Sequence, residues 1–305
     1  MLSLVNQVGI AEKSHEDDIQ ALAYQGGKLF SAGEDSFIKV WDLICQTDNN
    51  EKTLQLQDEI CKRNASISSL AVHSGSLYIG HYDGTIQALR LPELQESVML
   101  VVGAHDDSVT KIVSVGDTVF SGGQDAAVKV WKDGNLTLVL SVVEEVFDLA
   151  VDGMMIFSVR DRGVTIQELL SLTESNKFSI KASLEGKSPI ALTKQYFFAT
   201  GSDGRGILRY DRNNYNEKPT ELRGHELIIN CLKSVEFDGC NEGSEILFSA
   251  GWDGVVNAWN PVSGVRLASC NVGFPVHAMC CGESGHVFVG GPQGNIAIVR
   301  FTSAS

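Results

Sequence analysis

One phrase occurs three times in this chain. The segments LFSAGEDSFIKVWD (29–42), VFSGGQDAAVKVWK (119–132) and LFSAGWDGVVNAWN (247–260) share a serine, an aspartate and a tryptophan. In each copy the aspartate follows the serine by four residues, and the tryptophan follows the aspartate by six. Self-similarity of this kind indicates a repeated supersecondary unit whose copies bury their apolar faces against one another. The phrase therefore constrains the fold more strongly than composition does.

Four weaker copies extend the repeat along the chain, at residues 77–91, 155–169, 196–211 and 287–301. In each copy, short apolar runs flank a turn, and the runs alternate or are wholly apolar, as half-buried and buried strands are. No window of useful length has a helical period, so the sequence predicts an all-β chain of seven units. The turn positions, which lie 36 to 50 residues apart, are Asp35, Asp83, Asp125, Asp161, Asp203, Asp253 and Gln293.

A histidine precedes the serine of each strong copy. The separation is sixteen residues in two copies and twenty-four in the third, where the extra residues fall in the polar stretch 236–245. The pairs are His15 and Ser31, His105 and Ser121, and His225 and Ser249. With this pattern the chain resembles the WD40-repeat family, whose units are four-stranded blades of about 40–45 residues. The resemblance covers all seven units, is strongest in blades 1, 3 and 6, and implies a seven-bladed β-propeller.

The two chain ends are expected to share one blade of a single propeller domain, residues 1–305. Too little chain follows residues 295–301 for a fourth strand, and residues 2–9 have the character of the fourth strands elsewhere. We therefore expect residues 2–9 to pair with 295–301 and close the ring, which leaves no free sheet edge. Compared with the strong copies, blade 4 lacks one turn residue and blade 5 has one more. The expected bounds are about 11–63 for blade 1, 64–103 for blade 2, 104–143 for blade 3, 144–186 for blade 4, 187–223 for blade 5, 224–274 for blade 6, and 275–301 plus 2–9 for blade 7.

The resemblance also implies a role for the repeated polar residues. In each strong blade the indole would form a hydrogen bond with the serine hydroxyl, and the hydroxyl would form one with the imidazole. The imidazole would in turn bond the carboxylate, so that every polar group has a partner. A catalytic Ser-His-Asp triad is the competing interpretation. Three copies inside a repeated unit, each with a tryptophan, favour the structural role, so we expect no catalytic residue. The expected structural tetrads are His15, Ser31, Asp35 and Trp41; His105, Ser121, Asp125 and Trp131; and His225, Ser249, Asp253 and Trp259.

Charge and cysteine content exclude several classes of protein. The chain has 38 acidic and 24 basic residues, a net charge of -14, and no cluster of four Lys or Arg, which disfavours nucleic-acid binding. Seven scattered cysteines without CxxC or paired Cys/His spacing indicate a reducing compartment and no structural metal. No segment resembles a signal peptide or a membrane span. We expect an intracellular protein, cytoplasmic or nuclear, without a cofactor.

Surface residues that the scaffold does not need are the candidates for partner binding. In the resembled family, the position before the turn aspartate lies on the top face of the propeller, and here Trp252 occupies it in blade 6. A large aromatic side chain there is typical of an interface anchor, although it could instead pack on neighbouring loops. Carboxylates such as Asp17 and Asp107 would make one arc acidic, either as a solvated surface or as a docking site for a basic segment. The candidate partner-binding residues are Trp252, Tyr82, Arg160, Glu34, Gln124, Asp17, Asp107, Leu227 and Ile228.

These features predict a non-enzymatic scaffold or adaptor within a multiprotein complex. Its partner would be a protein or peptide that carries Lys or Arg next to an apolar anchor. The alternative is the substrate-recognition subunit of a ubiquitin ligase, for which only Arg160, with Arg205 as a further candidate, offers phosphate-binding chemistry. An enzyme is disfavoured because the sequence has no nucleotide loop, no metal-ligand spacing and no nucleophile motif outside the tetrads.

Overall fold

The computed structural model describes residues 1–8, 14–45, 52–61, 64–92, 94, 97–161, 163–171, 177–236 and 245–302. Within these residues, 28 strands form seven four-stranded sheets. The arrangement is that of a seven-bladed propeller, so the predicted all-β fold class is confirmed. We call the strands of each blade a to d in sheet order, and we call the loop that leads into strand a the leading loop.

The chain divides into two compact units, Met1–Lys62 with Pro189–Ser305 (unit 1) and Arg63–Ser188 (unit 2). Unit 1 holds blades 1, 5, 6 and 7, and the first strand of blade 5 begins two residues before the boundary. The strands, in the order a to d, are β2 (Ile19–Gln25), β3 (Lys28–Gly33), β4 (Ile38–Cys45) and β5 (Lys52–Ile60) in blade 1; β18 (Lys187–Leu192), β19 (Tyr196–Thr200), β20 (Gly206–Asp211) and β21 (Thr220–Arg223) in blade 5; β22 (Ile229–Glu236), β23 (Glu245–Gly251), β24 (Val255–Trp259) and β25 (Arg266–Asn271) in blade 6; and β26 (Ala278–Cys281), β27 (His286–Gly290), β28 (Ile296–Phe301) and β1 (Leu2–Val8) in blade 7.

Unit 2 holds blades 2, 3 and 4. Its strands are β6 (Ile67–His73), β7 (Ser76–His81), β8 (Ile86–Arg90) and β9 (Ser97–Val101) in blade 2; β10 (Val109–Val115), β11 (Thr118–Gly123), β12 (Ala127–Lys132) and β13 (Asn135–Ser141) in blade 3; and β14 (Asp148–Asp152), β15 (Met155–Arg160), β16 (Gly163–Leu169) and β17 (Phe178–Glu185) in blade 4.

The first strand of the chain completes the last blade, as predicted. β1 pairs antiparallel with β28 from Leu2 opposite Phe301 to Val8 opposite Ile296, with a bulge between Leu4 and Asn6. The side chains of Leu2 and Phe301 are buried in the core of unit 1. The predicted strand also included Gly9, which lies outside the described residues. Because β1 covers the outer edge of β28, blade 7 has four strands like its neighbours.

All seven predicted turn positions lie between strands b and c of their blades. Pairing registers show the predicted length differences among these turns. Ser31 pairs with residue 39, whereas Ser158 pairs with 165 and Ala199 with 208. The turn of blade 4 is therefore one residue shorter than that of blade 1, and the turn of blade 5 is one residue longer. The polar insertion predicted at 236–245 falls almost wholly outside the described residues.

Neighbouring blades pack through their flat faces, where alternate strand residues meet. In unit 2, Val128 and Val130 of blade 3 share a core with Leu149 and Ile156 of blade 4. Polar bonds join the same blades, since the Thr110 hydroxyl donates to the carbonyl oxygen of Val146 at 2.7 Å. In unit 1, the Asn230 amide of blade 6 donates to the Val276 carbonyl oxygen of blade 7 at 2.9 Å. Each sheet is thus anchored by apolar burial and by directed hydrogen bonds.

Deletion of residues 1–8 tests the shared blade. The deletion removes the buried Leu2 and uncovers the edge of β28. We expect a loss of at least about 2 kcal/mol in the free energy of unfolding, together with self-association through the exposed strand. Urea unfolding and size-exclusion chromatography with light scattering measure the two effects. Ser3→Lys, at an exposed position of the same strand, is the control. A truncated chain that is monomeric and as stable as the parent would contradict the assignment.

Candidate functional site

The repeated polar residues meet in blade 3 as a continuous hydrogen-bonded chain. Trp131 Nε1 donates to Ser121 Oγ at 2.9 Å, and Ser121 Oγ lies 2.8 Å from His105 Nε2. His105 Nδ1 lies 2.8 Å from Asp125 Oδ1. An ionised carboxylate only accepts, so Nδ1–H donates to Asp125; Nε2 of the neutral ring then accepts the serine hydrogen, and the serine oxygen accepts the indole N–H. The chain of bonds fixes the tautomer of the imidazole.

Blades 1 and 6 have the same arrangement. In blade 1 the three bonds of the chain are 2.7, 2.7 and 2.8 Å long. In blade 6 the indole and imidazole bonds to the serine are 2.8 and 2.7 Å, and the shortest imidazole–carboxylate distance is 2.9 Å. The three serines that join these bonds are fully buried: Ser31, Ser121 and Ser249. A hydroxyl without access to solvent cannot reach a substrate, so the geometry is that of a structural brace.

The carboxylate of each quartet holds two loops together. Asp125 Oδ2 accepts the backbone N–H of Asp106 in the leading loop at 3.1 Å, and Oδ1 accepts that of Ala127 in the b–c turn at 3.3 Å. Asp35 and Asp253 accept corresponding amides in their own blades. The surface loops of these blades are therefore attached to a buried network, which limits their motion.

Burial and hydrogen bonding together shift the pKa values of four quartet residues. Desolvation lowers the pKa of His105 and His225 below the ordinary value of 6.5, despite the neighbouring aspartates. Burial acts to raise the pKa of Asp35 and Asp125, but the histidine hydrogen bonds and the backbone amides outweigh it and hold that pKa below 3.8. Neutral imidazole beside ionised carboxylate is the state that the hydrogen-bond directions require.

A further polar residue belongs to each quartet and was missed in the sequence. It follows the turn aspartate by four residues: Lys39, Lys129 and Asn257. Lys39 Nζ donates to the Ser14 carbonyl oxygen at 2.9 Å, and Lys129 Nζ to that of Ala104 at 2.6 Å. Asn257 Nδ2 lies 3.0 Å from His225 Nε2. The fixed offset was the available signal, and these side chains tie the leading loop to strand c.

Unit 1 presents three large apolar side chains of blade 6 to solvent. Leu227, Ile228 and Trp252 are 46%, 53% and 50% exposed. The backbone N–H of Trp252 donates to the Ile228 carbonyl oxygen at 2.9 Å, so the leading loop and the b–c turn are joined beneath the side chains. This close approach requires glycine at 251, because a Cβ there would lie 2.1 Å from the Ile228 oxygen. The three predicted apolar candidates of unit 1 are thus brought together.

A histidine connects this apolar group to carboxylates of blade 1. The Trp252 ring lies 5.3 Å from the His277 ring, and His277 Nδ1 lies 3.5 Å from Asp18 Oδ2. Asp18 Oδ1 also accepts the backbone N–H of Gln293 at 3.2 Å. The predicted Asp17 and Glu34 are exposed on the loops of the same blade. No sequence pattern indicated a role for His277 or Asp18, because the residues that meet here are far apart along the chain.

The remaining predicted candidates lie in unit 2. Tyr82 is 46% exposed, and its carbonyl oxygen accepts the Ser108 hydroxyl at 2.9 Å. Asp107 is exposed, and Gln124 is half-buried. Arg160 is held by two bonds, from Nη1 to Glu144 Oε1 at 3.0 Å and from Nη2 to Ser183 Oγ at 2.9 Å. Its charge is therefore already paired.

Comparison with known proteins identifies the family to which the repeats are similar. A family model described as "WD domain, G-beta repeat" (WD40) matches residues 9–42, 97–132 and 216–260, which contain the three quartets. The chain therefore contains WD40 repeats in blades 1, 3 and 6. A solved WD40 β-propeller domain, that of Doa1, superposes with a TM-score of 0.78 at 17% identity, over 99% of this chain and 98% of that one. At this identity the likeness shows the fold alone.

Several curated relatives match parts of the chain. The protein transport protein SEC31 of Meyerozyma guilliermondii is 34% identical over 33% of this chain and 7% of its own length. The intraflagellar transport protein 80 homolog of Mus musculus is 28% identical over 42% of this chain and 16% of its own. The chain thus spans a small part of these two relatives. The mitotic checkpoint protein BUB3.3 of Arabidopsis thaliana is 24% identical over 84% of this chain and 82% of its own.

The described residues contain neither a helix that could span a membrane nor a cluster of metal-binding side chains. No helix among them is long and apolar enough to cross a membrane. Within the same residues, no group of three or more His, Cys, Asp or Glu side chains is arranged to hold a metal ion.

The quartets predict a pH dependence of stability in this WD40 chain. A histidine whose pKa is lower in the folded state binds protons more readily when unfolded, so stability is complete above about pH 6.5 and declines below it. Between pH 7.5 and 5.5 we expect the free energy of unfolding to fall, with a slope of at most about 1.4 kcal/mol per pH unit for each of His105 and His225. Urea unfolding at several pH values, with NMR titration of the imidazole signals, measures this. Stability that is constant or increases as the pH falls through this range would refute the protonation scheme.

Gly251→Ala tests the contact beneath the apolar group. The new methyl must displace the Ile228 carbonyl oxygen, so we expect a loss of about 1–3 kcal/mol in the free energy of unfolding and a change in Trp252 fluorescence. Gly201→Ala is the matched control, since the nearest atom to a Cβ at that position is 3.6 Å away. Equal stability of the two variants would show that the close approach does not matter.

Proposed function

We propose that this WD40 chain is a non-enzymatic interaction scaffold that binds a protein or peptide partner through the exposed group around Trp252. The observation that carries the proposal is the half-exposed indole on a braced turn, next to the exposed Leu227 and Ile228. Three large, exposed apolar side chains at one end of a single blade form a cluster, whereas exposed apolar residues on most protein surfaces are scattered singly. Aromatic anchors among aliphatic side chains are typical of interface hot spots.

The charge around this group suggests the chemistry of the partner. Asp17, Asp18 and Glu34 supply carboxylates on the loops of blade 1, and His277 connects Asp18 to Trp252. The net charge of -14 repels anionic partners at long range. A segment with Lys or Arg beside an apolar residue would match both features of the surface, with the charges steering association and the apolar contact supplying affinity.

The relatives support a scaffold over an enzyme. Their names refer to protein transport, intraflagellar transport and the mitotic checkpoint, three processes without a shared reaction. A rigid set of blades with variable surface loops suits such diversity, because each chain can present its own contacts. We propose that this chain acts in the same general way, as a subunit of an intracellular multiprotein complex.

The alternative of a phosphate-reading ubiquitin ligase subunit gains no support. It requires several convergent arginines that are available to a phosphate, whereas two nitrogens of the Arg160 guanidinium already donate to Glu144 and Ser183. No second candidate function is therefore advanced.

Trp252→Ala is the direct test of the scaffold proposal. Affinity purification of tagged wild type and variant, with quantitative mass spectrometry, should show a discrete set of partners reduced at least about tenfold, the effect of losing about 1.4 kcal/mol. Val265→Ala is the matched control, since Val265 is an exposed apolar residue in the c–d loop of the same blade. Circular dichroism should be unchanged in both. Retention of every partner by Trp252→Ala would exclude this surface.

The acidic loops have a separate test on any partner recovered in that way. Asp17→Asn combined with Glu34→Gln should slow association and weaken its dependence on salt, with a smaller effect on dissociation. Stopped-flow association at 50 and 300 mM NaCl gives both rates. Association rates that are equal to those of the wild type at both salt concentrations would show that the carboxylates do not steer the partner.

A further inference from the structure

Blade 4 has the backbone of a braced blade but lacks two of the bracing side chains. The N–H of Val142 donates to the carbonyl oxygen of Ala126, as the N–H of His105 donates to that of Gly84, so Val142 stands where the braced blades 1, 3 and 6 have histidine. Gln167 pairs with Ile156 as Trp41 pairs with Leu29, so Gln167 stands where they have tryptophan. The serine remains, as Ser158. Two large rings are thus replaced by smaller side chains.

The replacement leaves a cavity of about 220 Å³ in unit 2. Its lining includes Val142, Ser158, Arg160, Thr165, Gln167 and Ser183. An apolar cavity of about 150 Å³ engineered in another protein accepts benzene, so this volume accommodates a small organic group or an amino-acid side chain. Val143 and Ile180, which are 94% and 65% exposed, also border the cavity and give its mouth an apolar rim.

Two polar atoms at this cavity have no hydrogen-bond partner within the described part of the chain. They are Gln167 Oε1, on a side chain that is 4% exposed, and Arg160 Nε, whose guanidinium is otherwise bonded to Glu144 and Ser183. Ser158 Oγ reaches the Thr165 carbonyl oxygen only at 3.5 Å, a weak contact. An unpaired buried polar group costs about 1–3 kcal/mol. Gln167 and Arg160 line the cavity, and a turn of each side chain would present this acceptor and this donor, now closed to solvent, to an occupant.

We propose that this cavity is a binding site for a primary carboxamide, the side chain of a glutamine or asparagine on a partner protein. The NH₂ group of the ligand donates to Gln167 Oε1, and its carbonyl oxygen accepts from Arg160 Nε–H. The last torsion of a glutamine side chain is soft, so the Gln167 oxygen turns toward an occupant at little cost. The apolar rim would contact the aliphatic part of the ligand.

Other ligand classes match less well. A carboxylate has no hydrogen for Gln167 Oε1 and meets the negative charge of Glu144 near Arg160. An ammonium group has no acceptor for Arg160 Nε–H and meets the guanidinium charge. The site goes beyond the function proposed above, because it lies in the other unit and uses none of the residues around Trp252.

Propionamide is a suitable probe, because it carries the amide group on a short aliphatic chain. Titration into ¹⁵N-labelled wild type should shift the Gln167 side-chain amide, the Arg160 Nε–H and the backbone signals of Val142 and Thr165, with a dissociation constant of about 1 mM, as expected for five heavy atoms. Propionate and butanone, which lack the NH₂ donor, should bind at least about tenfold more weakly. Equal binding of either compound, or shifts confined to other residues, would overturn the carboxamide assignment.

Two substitutions locate the site. Gln167→Met keeps the side-chain volume and removes the acceptor, so it should weaken propionamide binding at least about tenfold and raise thermal stability by removing an unpaired oxygen. Gln167→Trp introduces the residue of the braced blades 1, 3 and 6, fills the cavity and should abolish binding, with Ser158 available to accept the indole N–H. Trp252→Ala should bind the probe like the wild type, so this test is separate from that of the scaffold surface. Unchanged binding by Gln167→Met, or a cavity that still holds only water in crystals soaked with propionamide, would refute the proposal.

Discussion

The serine hydroxyl at the centre of each polar quartet is bonded on two sides, and the surface of the braced blades depends on it. Through the imidazole it reaches the leading loop and the turn aspartate, and through the indole it reaches strand c. A single oxygen thereby sets the distance between three chain segments that are remote in sequence. Because Ser121 is fully buried, no water competes for these bonds, and the low dielectric strengthens them.

This brace explains why exposed residues of the braced blades can be used for recognition. Trp252 directly precedes Asp253, whose carboxylate bonds both His225 and two backbone amides. The backbone under the indole is thus fixed, and Gly251 lets the leading loop support it from below. A partner that binds here would order little more than side chains, so more of the contact energy would appear as affinity.

The sequence predicted the repeated parts of this structure well because they have fixed offsets. A turn that needs a side-chain acceptor favours aspartate, so even the weak copies with Asp83 and Asp203 could be aligned with the strong ones. The same alignment predicted that the turn of blade 4 is one residue shorter. Contacts between blades have no such signal. The approach of His277 to Asp18 depends on how two blades pack, and nothing in either local segment indicates it. The cavity of blade 4 could not be predicted for a different reason. It forms because the histidine and the tryptophan of the repeated pattern are missing from that blade.

Loss of the pattern has different physical consequences in different blades. In blade 2, Ile79 takes the serine position and is fully buried, so an apolar side chain replaces the polar chain of bonds and needs no partners. In blade 4 the replacement of polar by apolar side chains is incomplete. Ser158 remains polar, Gln167 places an amide where the braced blades have an indole ring, and Arg160 adds a guanidinium to the same cavity. An apolar replacement would have avoided the cost of burying these groups. Their retention in the wall of a cavity is explained if an occupant offsets that cost.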